Sequence, residues 1–483
     1  MSPTLAVAEH RTLLRDALSA ALAADTLPAS MAYAPDTHRA ALFTDCTVVR
    51  GAPGQGKTLW AQALADPQLR ADAAQKYRLP RLERTETVTG FGARPDPFQP
   101  SSGELRALTG RGTDPTALWS AVGLTALGVP DLAALATWSE RVDWLVRNPE
   151  AVERSLTEAE SGARTADAFR LVVFDALDQL HTDRALAQHL ASGMLNFALT
   201  LARRTTRLRA KVFIRPDMLD GALAGFPRAD LSFLASHTTD LSWARVDHFG
   251  LLFHLLGNRD SAEAASFRAA WPAWQPTGSG RLLAPDGLDR DSAVQERAFT
   301  MLTGPSMGTH GRHPYAFLPV YLQDALGAVT PRSFLATLAI ALEHTERAHP
   351  DHDYPLHHDS LRRSVGCGAR AEELHRALPW VRLALEPLAG QYVPIREDDI
   401  FDLWNQADLA DRLQEPAQRA AAGPGLIRTG PLPPASYPLL VEELIGAGVL
   451  SRRTGGQLDM PEVYRTAYGL GRCGGVRRST RSA

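Results

Sequence analysis

One octapeptide carries most of the chemistry that can be read from this chain. Gly51-Ala52-Pro53-Gly54-Gln55-Gly56-Lys57-Thr58 fits the spacing G-x-x-x-x-G-K-[ST]. In that pattern the glycines let backbone N–H groups curl around phosphate oxygens at a helix N-terminus. The lysine reaches the β- and γ-phosphates, and the hydroxyl helps to hold Mg2+. All eight residues are therefore candidate nucleotide-binding positions. Of 51 basic residues only Lys57, Lys76 and Lys211 are lysines. Lys57 thus places a slender ammonium where a planar guanidinium would not serve.

A triphosphate with Mg2+ also needs a carboxylate at the end of a neighbouring strand. The apolar run Leu171-Val172-Val173-Phe174 ends in Asp175, and Asp178 follows three residues later. Thr58 and Asp175 are the candidate Mg2+ ligands, and Lys57, Asp175, Asp178, Arg215 and Arg332 are the candidate catalytic residues. Ala176, not glutamate, follows Asp175. Orienting the attacking water then falls to Asp178 or a residue elsewhere, or hydrolysis is slow. Arg215 ends a second apolar segment, Val212–Ile214, where it either senses the γ-phosphate or forms an ion pair with Asp217 or Asp220. Arg332, in Thr330-Pro331-Arg332-Ser333, opens a helix from which a lid can reach back to the nucleotide.

These residues need a parallel sheet whose strands end at one edge, because ligands of open α/β sheets bind beyond the carboxyl ends of the strands. The sequence supplies the parts. A strand is expected over Leu42–Arg50 and a helix over Thr58–Ala65, with Asp66-Pro67 closing it. Continuous apolar runs at Leu171–Phe174 and Val212–Ile214 read as central strands buried on both faces. An amphipathic helix is expected over residues 4–24, and further helices over Thr116–Glu140 (broken at Gly128-Val129-Pro130), Leu186–Arg203 and Phe249–Leu256. Beyond Trp243 the strand signal fades, and helices are expected near 293–302, 332–345 and 357–376. From Asp398 onward two helices, Asp398–Ala407 and Ser436–Gly446, precede two short strands around Gly455-Gly456, the outline of a winged helix. The expected fold is an α/β parallel-sheet P-loop NTPase core with a helical lid and a C-terminal winged-helix-like domain. Its expected boundaries are 1–40 for an N-terminal helical segment, 41–245 for the core with an insertion at about 92–165, 246–392 for the lid, and 393–483 for the last domain with its basic tail.

The bulk properties agree with a soluble, cytoplasmic protein. The chain has 483 residues, 45% hydrophobic and 22% charged, with a net charge of −3 that exerts no global pull on nucleic acid or membrane. Cys46, Cys367 and Cys473 form no CxxC pair and read as reduced thiols. No apolar stretch approaches the roughly 18 residues needed to span a bilayer.

The runs Leu171–Leu180 (LVVFDALDQL) and Lys211–Leu219 (KVFIRPDML), with the continuation through Trp243, Phe249–Leu256 and Pro331-Arg332, resemble the STAND and KAP-like groups of P-loop NTPases. The chain is similar to standalone bacterial ATPases of this kind, some of which serve phage defence or related conflict. The resemblance implies ATP and Mg2+ as cofactors and nucleotide-site roles for Lys57, Thr58, Asp175, Asp178, Arg215 and Arg332. Unlike KAP proteins, the chain lacks transmembrane insertions; unlike typical STAND proteins, it lacks a repeat array.

Two further features carry weaker chemistry. His349, His352, His357 and His358 lie together with Asp351 and Asp353; their spacing matches no recognised zinc site, and they read as a solvated loop opening a helix. The tail Arg465–Ala483 has five arginines and no acidic residue, which would suit either phosphate contacts or a solvated end. The leading expectation is an Mg2+-dependent ATPase or slow ATP switch that transmits nucleotide state to a protein partner or a second copy of itself. An ATP-gated DNA-binding regulator using the winged helix is the alternative, and a scaffold that binds nucleotide without turnover is a third.

Overall fold

A computed structural model describes residues 5–23, 33–93, 98–308, 311–414, 429–431 and 436–472. The chain divides into two units, one of residues 1–298 with 417–430 and the other of residues 299–416 with 431–483. The first unit is built on a five-stranded parallel sheet in the order β2-β3-β4-β1-β5. Its strands are β1 (Val48–Arg50), β2 (Thr85–Phe91), β3 (Phe169–Phe174), β4 (Leu208–Ile214) and β5 (Thr238–Asp240). One strand, β4, therefore separates the strand before the glycine loop from the strand that ends at Asp175. It pairs with β1 through Val48↔Val212 and with β3 through Val172↔Ala210.

The continuous apolar strands are explained by what covers them. Successive side chains of a strand point to opposite faces, and both faces of this sheet are packed. Val172 and Phe174 join one core with Trp119, Phe197 and the helix Arg184–Arg204, whereas Leu171 and Val173 join the other with Trp60 and Leu64 of the helix after the glycine loop. Phe174 is fixed edge-to-face by Trp119 at 5.8 Å and Phe197 at 6.0 Å. Such contacts add about 0.5–1.5 kcal/mol each beyond burial and set the end of β3, hence the place of Asp175. The helix Pro115–Ala126 runs so close to Arg184–Arg204 that a Cβ on Gly193 would fall 2.4 Å from the carbonyl carbon of Pro115.

Three local expectations are corrected. The strand expected over Leu42–Arg50 is shorter, and residues Asp36–Leu42 form a tight 3-10 helix instead. Buried Lys211 decides this: its Nζ donates to Ala41 O (2.8 Å), Phe43 O (3.0 Å) and Cys46 O (2.6 Å), which turns those carbonyls away from any ladder. The helix expected over 357–376 is two helices, His358–Ser364 and Ala369–Ala377, separated by a turn through Gly368 at φ +79°. The first unit extends to residue 298, past the expected core boundary at 245, because the helix Arg245–Gly257 is buried throughout from Asp247 to Gly257.

The second unit is helical, with Arg370 buried between Asp324 (3.1 Å) and Glu373 (3.2 Å). Towards its end the helices Glu397–Gln406 and Tyr437–Gly446 precede a hairpin in which Leu458 pairs Arg452, and Ile395 bridges to Leu458 as a third strand position. Among the described residues, no helix is long and apolar enough to cross a membrane.

Candidate nucleotide site

The glycine loop begins where β1 ends, at the carboxyl edge of the sheet. Gly51 N donates to Ile214 O of β4 at 3.1 Å, and Leu241 N, just past β5, donates to Arg50 O at 2.7 Å. The loop is thus held from both neighbouring strands. Gly54 and Gly56 adopt φ +84° and +100°, conformations in which any side chain is strained. Gly56 is the N-cap of the helix Lys57–Ala65, whose first turn contains no acidic residue. Its dipole therefore faces the loop with no acid of the helix's own first turn opposing it.

Lys57 folds back over the loop, its Nζ donating to Gly51 O at 2.5 Å and Ala52 O at 3.1 Å. Burial pushes the ammonium down to about 8; Asp175 opposes the shift and Arg215 adds to it. Asp175, buried at the end of β3, is pushed upward by its burial, while hydrogen bonds from Ala176 N–H and the Thr58 hydroxyl, together with the charge of Lys57, pull it back. The Thr58–Asp175 hydrogen bond places a hydroxyl and a carboxylate side by side, the pair that holds Mg2+ in a P-loop site. Asp178 lies close enough to Lys57 and Asp175 to act on both electrostatically.

Arg215 is anchored rather than swinging: its Nε and NH2 donate to Asp217 at 3.1 and 2.8 Å. Arg184 reaches the same carboxylate at 2.7 Å. Against the upward push of burial, these two guanidiniums and Lys57 hold Asp217 well below the usual carboxylate range. The ion pair foreseen for Arg215 is present, and its positive charge still bears on Lys57.

Several members of the site were not foreseen as such. Trp243 Nε1 donates to Gln55 O at 3.1 Å and packs edge-on against His38 at 5.2 Å. His38 Nδ1 in turn accepts from Trp60 Nε1 at 2.8 Å. Burial holds His38 down to about 3, so this wall of the loop is neutral. Arg184, at the start of a long helix, was equally unforeseen. Thr429 comes from far along the chain: its N–H donates to Asp178 O at 2.9 Å, and its Oγ1 stands 3.0 Å from both Asp178 O and His181 O. Gly430 N donates to Thr182 O at 3.1 Å. Together they tie down the loop that carries Asp178.

Lys57, Thr58, Asp175, Asp178 and Arg215 are thus brought together. Arg332 belongs to the second unit, at the second position of the helix Pro331–Ala348. No family model matches the chain. No curated protein matches it either. Among solved structures, the Aeropyrum pernix ORC2 protein, in ADPNP–ADP complexes, aligns over 96% of this chain and 95% of its own, at 14% identity and a TM-score of 0.31. Cdc6p from Pyrobaculum aerophilum aligns over 97% and 94%, at 12% identity and a TM-score of 0.27. Likeness at this level leaves the site to be read from its own residues.

The donor set fits a Mg2+–nucleoside triphosphate. A helix N-terminus and a glycine-rich turn offer N–H groups, one ammonium is held at the loop by neutral carbonyls that a phosphate outcompetes, and a hydroxyl–carboxylate pair stands beside it.

Proposed function

We propose that the protein is a Mg2+-dependent ATP-binding P-loop ATPase that turns over slowly and works as a switch. The Thr58–Asp175 pair beside Lys57, at the carboxyl ends of β3 and β1, is the observation that carries this reading. Bound MgATP would supply the phosphoanhydride and the metal's charge. Lys57 would neutralise the β- and γ-phosphates, Thr58 and Asp175 would hold the metal, and Arg215 would supply fixed positive charge behind the phosphates. Slow turnover follows from Ala176, which occupies the place after Asp175 at φ +58° and brings no carboxylate. Asp178 is a further acid near Lys57, besides Asp175 and the ion-paired Asp217, and its loop is clamped by Thr429. On this reading Arg332 couples the lid to the γ-phosphate, and a protein partner or a second copy receives the signal. A role in bacterial defence rests on the resemblance to STAND and KAP-like proteins.

The surface chemistry of the C-terminal helices favours the switch over a DNA-binding regulator. The helix Tyr437–Gly446 before the hairpin carries Glu442 and Glu443 and no basic residue. Arg452 is taken up by Glu397 and Glu442, and Arg453 by Asp459. A helix of this charge is repelled by a phosphate backbone. Of the basic tail, residues 473–483 lie outside the described residues.

Isothermal titration with ATP and a phosphate-release assay test the proposal together. Wild-type protein should bind ATP in the presence of Mg2+ and release phosphate slowly, and Lys57→Ala should lose both. Unchanged affinity in Lys57→Ala would sink the nucleotide assignment. Tight binding with no phosphate release over hours would leave the passive scaffold instead.

A further inference from the structure

The histidine-rich turn of the second unit closes on itself in a way its sequence spacing hides. His349 caps the C-terminal end of the helix Pro331–Ala348, and His357 caps the N-terminal end of the helix His358–Ser364. The chain between them doubles back, so the two imidazoles stack at 3.7 Å between centroids, only 16° from parallel. His352 meets His357 at 4.6 Å, and His358 lies 4.1 Å from it. Ligand atoms of His349, His357 and Asp359 all lie within 4.8 Å of one another.

We propose that His349, His357 and Asp359 form a binding site for a divalent transition metal of the Zn2+ class, with His352 or His358 able to complete its coordination. Two imidazoles and one carboxylate suit Zn2+, Co2+ or Ni2+ and do not suit Mg2+, which prefers oxygen ligands and keeps its waters. In a tetrahedral site with bonds of about 2.0–2.1 Å, donors stand roughly 3.4 Å apart. Drawing donors together from within 4.8 Å takes small side-chain rotations, and all three residues are only partly buried. The surrounding backbone is already fixed: His357 N donates to Thr345 Oγ1 at 3.0 Å, Leu356 N to Leu302 O at 2.9 Å, and His344 Nδ1 lies 2.9 Å from Ser360 Oγ.

A bond that His357 already makes must be given up. His357 Nδ1 accepts the N–H of Asp359 at 3.1 Å as a helix cap. A metal at Nδ1 replaces that bond, and a metal at Nε2 needs the proton moved onto Nδ1; both routes lose the cap. The loss of one helix cap is small beside the affinity of a three-ligand zinc site. The metal would clip the end of one helix to the start of the next, and open coordination positions would remain for water or a further histidine.

Calorimetric titration of ZnCl2 into chelator-treated full-length protein, at constant Mg2+, tests the site. One Zn2+ should bind with a Kd at or below about 10 µM. His349→Ala and His357→Asn should each weaken it at least about tenfold, and Asp359→Asn several-fold, while His189→Ala on the first unit should change nothing. Asparagine at 357 keeps a capping oxygen, so loss of binding there is not a loss of fold, and a thermal melt checks this. Co2+ substitution should give visible absorption bands that disappear in the same variants. Binding weaker than about 100 µM, or unchanged within twofold in His349→Ala and His357→Asn, would overturn the site and return these residues to an ordinary solvated turn.

Discussion

Raising the pH tests the phosphate site in a way that mutation cannot, because it removes the Lys57 charge while every atom stays in place. Lys57 sits at about 8 in the folded chain against an ordinary 10.5, through burial and through Arg215. If only the ammonium form grips the triphosphate, affinity follows the protonated fraction, about 0.9 at pH 7 and about 0.09 at pH 9. The Kd for ATP should therefore rise about tenfold over those two units and about a hundredfold by pH 10. A lysine at its ordinary value would leave it nearly flat to pH 10. Because the triphosphate adds negative charge, binding raises the lysine's affinity for its proton, so titrations at pH 9 should show uptake of nearly one proton per ATP. Running them in buffers of different ionisation heat measures that uptake directly. Stability should move the other way. A lysine held below its unfolded value binds fewer protons in the folded state, so its contribution to stability improves as pH rises from about 8 to 10.5 while affinity is lost. A flat Kd from pH 7 to 10, with no proton uptake, would refute the electrostatic reading of the loop.

Two substitutions separate the remaining roles. Asp175→Asn should leave most of the ATP affinity but depress phosphate release and remove its dependence on Mg2+ concentration; wild-type turnover would pass the metal role to Asp178. If Arg332 meets the γ-phosphate as proposed, Arg332→Ala should weaken ATP about tenfold or more and ADP hardly at all, since a charge-assisted contact of that kind is worth about 1.5–3 kcal/mol. No change in either affinity on substitution would make Arg332 an ordinary surface or packing arginine.

What the sequence disclosed, and what it hid, follows from where the determinants lie. The glycine loop was legible because all its parts are contiguous, and Asp175 because a strand buried on both faces reads as an unbroken apolar run. The two edge strands were not. In β2 the order Thr-Glu-Thr-Val-Thr-Gly-Phe is polar because only β3 pairs with it, and β5 is the polar Thr-Thr-Asp at the other edge. Edge strands need no apolar run. Arg215 was half legible: its strand could be placed, but the Asp217–Arg184 anchor required a helix from elsewhere in the fold. The histidines were visible but their contact was not, since the doubling of the chain between His349 and His357 leaves no mark on spacing. The three lysines tell the same story from another side. Lys57 faces the phosphate loop, Lys211 faces three inward carbonyls, and Lys76 pairs with buried Asp289 at 2.9 Å. In an arginine-rich chain each lysine marks a place that demands a compact charge.

The clamp on the Asp178 loop also sets a clock. Thr429 lies 251 residues beyond Asp178 in sequence. At a synthesis rate of about 5–20 residues per second, a ribosome that has just made Asp178 needs roughly 12–50 s to reach Thr429. The sheet, the glycine loop and Asp175 are complete long before then, so a nascent chain has the loop and Asp175 before it has the strap that fixes the neighbouring acid. Full discipline of that loop arrives only once Thr429 has been made, well after the residues it steadies.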